Sequence, residues 1–376
     1  MKNGLLFRGG MFNNGAMNIR PVAYMEWAKA RPAAAVNMSL SGLAGPALAD
    51  LGIDWGEIAL NGEHPYGWPP LLEAIAARHG TDVGKVCPML GTSQGIFSIC
   101  AALVGPGDEV LVEKPAYEPL LAVPRLLGAK VRRFERRFEN GYRVDPEDLR
   151  ASLGPGTKLV ILTNPHNPSG VALTRDEVLV LASVAGEKGA TVLVDEIYLE
   201  FQEGEAARTS FGLAPNVAVT SSLTKVFGLS GLRCGWALAQ DGLAAALRKL
   251  MDHMFVEPVF IAEQVAARLF ARLDMMKAAS RPLVEANFRT VREFMGKEDA
   301  LEWAEPSPGI IAFPRLRGAG DAGELVRRLL EERGTCVVPG RFFEEPRSFR
   351  LGFGIPKSEL GRGLESLRAV LETMKK

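Results

Sequence analysis

Ser221-Ser222-Leu223-Thr224-Lys225-Val226-Phe227-Gly228-Leu229-Ser230-Gly231-Leu232-Arg233-Cys234-Gly235-Trp236 sets one lysine among small hydroxyl residues and glycines, with an arginine eight positions on. An apolar run at 235–239 follows and reads as a buried strand. A lysine in such a stretch is poorly hydrated and fixed in place. Burial and a neighbouring cation both lower an amine's pKa from its reference of about 10.4. The amine is then nucleophilic near neutrality and fit to form a Schiff base with an aldehyde. The competing reading is a surface lysine in a Ser/Gly loop, one of 44 Lys and Arg residues.

Outward from this stretch, apolar runs end in polar groups at intervals. The run 191–194 ends in Asp195-Glu196-Ile197-Tyr198. An acid at the carboxyl end of a buried parallel strand sits where ligands bind in open α/β sheets. Strand alternation points Glu196 to the face opposite Asp195. The run 159–162 ends in Asn164-Pro165-His166-Asn167-Pro168-Ser169-Gly170. Its two prolines fix the backbone and aim the Asn167 side chain, with His166 read as incidental. The run 86–90 leads through Gly91-Thr92-Ser93-Gln94-Gly95 into an apolar helix at 96–103. A glycine turn at a helix amino terminus offers free N–H groups and the positive end of the dipole, which suits a phosphate. The strand 109–112 enters Lys114-Pro115-Ala116-Tyr117. Near the carboxyl end, Arg347-Ser348-Phe349-Arg350-Leu351-Gly352-Phe353-Gly354 carries arginines whose planar forks match a carboxylate. An amine suited to an aldehyde points to pyridoxal 5'-phosphate.

In this order, from Gly91 to Arg350, the chain resembles fold-type I pyridoxal-phosphate enzymes of the class I/II aminotransferase family. The resemblance implies that Lys225 carries the cofactor and later shuttles a proton, and that Asp195 pairs with the pyridine nitrogen. It implies that Asn167 and Tyr198 hydrogen-bond the ring's phenolate oxygen and that Tyr117 stacks on the ring. Thr92, Ser93 and Gln94, with Ser222 and Arg233, would hold the phosphate. Arg350, followed directly by Leu351-Gly352-Phe353-Gly354 as in the family, would bind the substrate α-carboxylate beside Asn167, with the backbone at Gly42 passing over it. Lys225, Asp195 and Tyr198 form the implied catalytic set, and no metal is implied.

The implied reaction moves an amino group between an amino acid and a 2-oxo acid. The same constellation serves a β-eliminating or C–S lyase, a decarboxylase or a cyclising lyase, so those readings stay open. A non-catalytic binding protein on this fold is disfavoured because Lys225 stands and no helix-turn-helix segment precedes Arg20. A homodimer with its site at the subunit boundary is implied as well. Two departures from the family pattern occur: Tyr66 abuts Gly67, and Leu72 stands where an arginine is usual.

Strands alternating with helices across 86–239 predict a doubly wound, mostly parallel α/β sheet, with a smaller α+β domain beyond it. A chain of 376 residues exceeds one ordinary core, so two domains are expected. The expected division is an amino-terminal segment and helix, 1–45, joining the small domain; a large cofactor-binding domain, 46–255; and a small carboxyl-terminal domain, 256–376. Helices are expected at 20–30, 71–76, 146–153, 174–188, 242–253, 261–294 and 324–333, and 132–137 reads as a basic polar stretch. Forty-four basic and 44 acidic residues cancel, which argues against nucleic acid or an anionic membrane as partner. Cys87, Cys100, Cys234 and Cys336 lie far apart without metal spacing and read as reduced thiols of a cytoplasmic protein. Residues 1–20 contain no signal-type apolar core, and no run of about 18 apolar residues suggests a membrane span.

Overall fold

The computed structural model describes residues 19–318 and 320–374. Of the amino-terminal stretch read above for a signal segment, 1–18 lie outside the described residues. The described chain begins with helix α1 (Ala23–Ala30), the two-residue strand β1 (Val36–Asn37) and helix α2 (Pro69–His79). Pro69 and Pro70 occupy the first turn of α2, where their missing N–H groups cost nothing, and Gly80 ends it in the left-handed region at φ 61°. Then come β2 (Val86–Met89), α3 (Thr92–Leu103), β3 (Glu109–Lys114), α4 (Pro119–Leu126), β4 (Lys130–Glu135), α5 (Pro146–Ser152), β5 (Thr157–Thr163), α6 (Arg175–Gly186), β6 (Thr191–Asp195), β7 (Val217–Ser222), β8 (Gly235–Leu238) and α7 (Asp241–Met254). The start of α6 is fixed by a reciprocal cap between Thr174 and Glu177.

Seven strands form one sheet in the order β2-β8-β7-β6-β5-β3-β4. β8 runs antiparallel to both neighbours, and the remaining pairs are parallel. Alternate residues of the central strands feed opposite layers, as the two-residue period requires. Leu159 and Ile161 join the layer under α3, α4 and α7, with Ile99, Leu120 and Leu247. Val160 and Leu162 face the layer under α2, α5, α6 and α8 (Phe260–Phe270), with Ile75, Leu149, Leu181 and Leu269. Being covered on both faces, these strands read as unbroken apolar runs. The carboxyl ends of β3, β5, β6 and β7 come out along one edge, and the site forms there.

Helix α9 (Leu273–Met295) leads into short strands β9 (Leu301–Glu302), β10 (Ile311–Ala312) and β11 (Arg315–Leu316), helix α10 (Gly323–Arg333), strands β12 (Thr335–Cys336), β13 (Val338–Pro339) and β14 (Phe349–Gly352), and helix α11 (Lys357–Met374). β14 lies between β10 and β13, antiparallel to both. β1 pairs in parallel with β12, which ties the segment after α1 to this carboxyl-terminal part. Among the described residues, no helix is long and apolar enough to cross a membrane.

The structure differs from the sequence expectation at four places. The stretch read as merely basic and polar is the edge strand β4, whose charged residues leave one side of the sheet protected rather than buried. α4 is absent from the expected helices; Pro119 sits in its first turn and Pro124 is accommodated within it. The expected helix 261–294 is two helices, broken at Ala271 and Arg272. α11, with Leu360, Leu364, Leu367 and Leu371 buried along one face, was not anticipated.

Candidate active site

Lys225 stands three residues beyond the end of β7. Its Nζ donates to Ser41 Oγ at 3.1 Å. The chain at 41–43 passes directly over it: Leu43 N–H donates to the Lys225 carbonyl at 2.9 Å. A Cβ added at Gly42 would come 3.2 Å from Lys225 Cδ, so a bare backbone suits this crossing. Burial lowers the Lys225 pKa from an ordinary 10.5 to about 8; Arg350 and Arg233 press it the same way, and Asp195 opposes them.

Asp195 ends β6 and is buried. Thr220 Oγ1 donates to its Oδ1 at 3.4 Å. Burial raises its pKa from 3.8 to about 7, against hydrogen bonds from Ile197 and Thr220 that hold it down. A protonated ring nitrogen beside this carboxyl would favour its charged form. Glu196 points away, as expected: it accepts from Thr209 Oγ1 at 2.7 Å and Ser210 N–H at 2.6 Å. The Tyr198 hydroxyl is buried without a hydrogen-bond partner of good geometry, and burial pushes its pKa up to about 12, with the nearby Ser41 hydroxyl pulling the other way.

Arg350, on β14, is 1% exposed. Its Nη1 donates to Asn167 Oδ1 at 2.9 Å, and its Nη2 to Tyr24 Oη at 2.9 Å and to the Ser39 carbonyl at 3.2 Å. Its Nε has no partner, and no acid among the described residues pairs with it. A buried guanidinium without a counter-anion is costly unless an anion arrives. Arg347, the other arginine of the motif, is 37% exposed at its side chain and lies 3.7 Å from Glu302, outside the site.

Asn167 is held from behind. Its N–H donates to Thr163 Oγ1 at 2.9 Å; Thr163 in turn donates through N and Oγ1 to Glu113 Oε1 at 2.8 and 2.7 Å. Glu113 Oε2 meets Arg136 Nη1 at 2.8 Å, with both side chains fully buried. His166 is not incidental to the packing. It is wholly buried, with Nδ1 2.7 Å from Ser169 Oγ and Nε2 2.9 Å from the Pro115 carbonyl, and it locks the loop that carries Asn167 to the loop that carries Tyr117.

At the turn before α3, Gly91 takes φ 87°. The N–H groups of Thr92 and Ser93 are among the first of the helix and have no intrahelical acceptor. Arg233 crosses the turn, its Nη2 donating to the Leu90 carbonyl at 2.8 Å. A Cβ on Gly235 would come 2.6 Å from Gly91 Cα, so β8 and the turn touch backbone to backbone. Ser222 Oγ accepts from Thr224 N–H at 3.3 Å. The Gln94 side chain turns back, its Oε1 accepting from Leu90 N–H at 2.6 Å, and so secures the turn itself. Tyr117 lies half-buried, edge-on to Tyr24 with centroids 5.5 Å apart at 80°. Tyr66 is 38% exposed and donates to Asp252 Oδ2 at 3.2 Å, and Leu72 is buried in α2.

Sequence reasoning missed Ser41, Tyr24, Thr163 and Thr220. Ser41 adjoins Gly42, so the Ser/Gly segment carried its signal. Tyr24 was legible only as part of an apolar helix face. A nucleophilic amine, a poised acid, an unpartnered phenol, a free helix turn and an uncompensated arginine fit pyridoxal 5'-phosphate and an amino acid.

The family model for aminotransferase class I and II matches residues 59–367, and the chain belongs to that family. It is a pyridoxal-phosphate-dependent aminotransferase of fold type I by that membership. It is 34% identical over 307 residues to capreomycidine synthase of Streptomyces vinaceus, a match covering 81% of this chain and 79% of that one. With an aspartate aminotransferase of Streptomyces avermitilis it shares 29% over 335 residues, covering 82% and 81%. A PLP-dependent aminotransferase from Streptococcus suis superposes with a TM-score of 0.89 at 25% identity, covering 96% of this chain and all of the other.

Proposed function

We propose that the chain carries out amino transfer between an amino acid and a 2-oxo acid with Lys225 as its covalent and proton-moving residue. The observation that carries this reading is the Lys225 amine held on Ser41 Oγ beneath the chain at 41–43, with a buried acid, Asp195, and a buried arginine without a counter-ion, Arg350, both acting on its charge. Bound there, pyridoxal 5'-phosphate supplies an aldehyde and an electron sink for charge left on the substrate's α-carbon. Arg350 and Asn167 would receive the α-carboxylate, and the Lys225 amine would be the base for the α-proton. A neutral Lys225 Nζ takes that proton and returns it elsewhere, with Ser41 Oγ orienting it. Asp195 would keep the ring nitrogen protonated, and Tyr198 and Asn167 would hydrogen-bond the ring oxygen. Thr92 and Ser93, with Ser222 and Arg233, would hold the phosphate, and Tyr117 would cover the ring. Gln94 contributes by fixing the turn.

We read 46–255 as the cofactor-binding domain, with 256–376 and the segment before residue 46 bringing Arg350 and Tyr24 over it; the β1–β12 pairing supports this. Exposed apolar side chains on two touching segments, among them Leu60 at 75% and Val256 at 66%, support a homodimer through that face. Four buried free thiols support a cytoplasmic setting.

The test is amino exchange by the cofactor-loaded protein over a panel of amino acids and 2-oxo acids. Acceptor-dependent formation of a new amino acid, lost in Lys225→Ala, is expected. Similarity to capreomycidine synthase favours a second reading, a lyase or cyclising reaction on the same residues. Product formed at full rate without any oxo-acid acceptor would replace the first reading with the second.

A further inference from the structure

Arginine has five N–H donors. In Arg350 those on Nη2 go to Tyr24 Oη and the Ser39 carbonyl, and one on Nη1 goes to Asn167. The Tyr24 hydroxyl therefore uses a lone pair on the arginine and keeps its own proton, for which no described residue is an acceptor. A spare O–H donor against a buried, uncompensated guanidinium suits an anion with one oxygen on the arginine and another on the phenol.

Tyr24 is held there from two sides. The first N–H groups of α1, those of Ala23 and Tyr24, are received by the two carboxylate oxygens of Glu118 at 3.1 and 2.6 Å. Glu118 directly follows Tyr117, so the loop that presents the stacking phenol also grips the helix that presents Tyr24. The Tyr24 ring packs edge-on to Tyr117 and to Phe342, the latter with centroids 5.8 Å apart, and lies 5.6 Å from Arg350 Cζ.

We propose that Tyr24 is a second carboxylate-reading residue of the substrate site, accepting from Arg350 while donating to the substrate's α-carboxylate, with Glu118 as the positioning residue that fixes α1 for it. The inference rests on the reading of Arg350 as the carboxylate residue. Its consequence is selectivity: the phenol favours amino acids over amines that lack the carboxylate.

The test uses cofactor-loaded protein and two probes, propionate for the carboxylate alone and propylamine for the amine alone. Losing one hydrogen bond to a charged group corresponds to about a tenfold loss of affinity. Tyr24→Phe, which keeps the ring and its packing, is expected to raise the propionate Kd about tenfold and to place its loss on amino-acid KM rather than kcat. Propylamine affinity is expected to stay unchanged. Glu118→Ala is expected to move propionate binding in the same direction by a smaller factor. If Arg350→Lys leaves propionate binding intact, the Arg350 reading fails and takes this inference with it. If Arg350→Lys weakens propionate binding while Tyr24→Phe binds it as the parent does, the role of Tyr24 alone is overturned. An equal loss of propionate and propylamine in Tyr24→Phe would mark a general packing defect and likewise overturn it.

Discussion

Replacing Glu113 by glutamine removes one charge from a fully buried pair and leaves the other. In the parent chain Glu113 Oε2 meets Arg136 Nη1 at 2.8 Å, and Oε1 accepts from Thr163 N and Oγ1 at 2.8 and 2.7 Å. Burial pushes the Glu113 carboxyl up, against the pull of Arg136 and the Thr163 donors. A glutamine that keeps the Thr163 bonds turns its NH₂ towards Arg136, placing donor against donor. Stranding one member of a buried ion pair costs about 3–5 kcal/mol. At about 2–4 °C per kcal/mol for a domain of this size, the unfolding midpoint should fall on the order of 10 °C. Thermal unfolding followed by circular dichroism on the cofactor-free protein measures it. Replacing both partners, Glu113→Gln with Arg136→Met, removes the stranded charge and is expected to recover most of the loss. A single variant within about 2 °C of the parent, or a double variant no better than the single, would refute the reasoning.

Asp195, with its pKa raised from 3.8 to about 7, holds its proton when folded over a range where the unfolded chain has lost it. Stability therefore drains away as pH rises through that range and is level above it, so Asp195→Asn is expected to gain on the parent from pH 4 to 7 and keep a constant lead above. Melts of cofactor-free protein across pH check this, and a lead independent of pH would contradict it. Covalent capture of added pyridoxal phosphate by cofactor-free protein is expected to speed up with pH and level off above about 8, where Lys225 is neutral. Arg350→Met should move that midpoint up and Asp195→Asn should move it down; a midpoint at the ordinary lysine value would sink the assignment of a depressed amine. Gly235→Ala places a Cβ 2.6 Å from Gly91 Cα and 2.9 Å from the Ser221 carbonyl, neither of which can swing aside. Weaker cofactor retention in equilibrium dialysis is expected, together with about 1–3 kcal/mol of lost stability.

What the sequence made legible follows from how its signals are written. β5, β6 and β7 are covered on both faces, so they appear as apolar runs, and the polar residues ending them, Thr163, Asp195 and Ser222, sit at the sheet's edge by necessity. Of the two arginines in that motif, Arg350 is buried and Arg347 is partly exposed, a difference the local sequence does not state. Long-range pairings left no local trace. Nothing in the sequence around Tyr24 indicates that its phenol meets an arginine 326 residues away, or that Glu118 caps a helix from outside it. Glu113, Arg136 and His166 read as charges on a strand and in a loop, because only tertiary packing buries them. β4 and α4 were missed, one having an edge strand's charges and the other a helix's unusual prolines.

The lysine assignment is tested most directly by reducing the cofactor-loaded protein with borohydride, digesting it and locating the fixed pyridoxyl group by mass spectrometry. The modification is expected on the peptide containing Lys225 and absent from Lys225→Ala treated alike. A stoichiometric label on another lysine, or one that persists in that variant, would contradict the account from its first step.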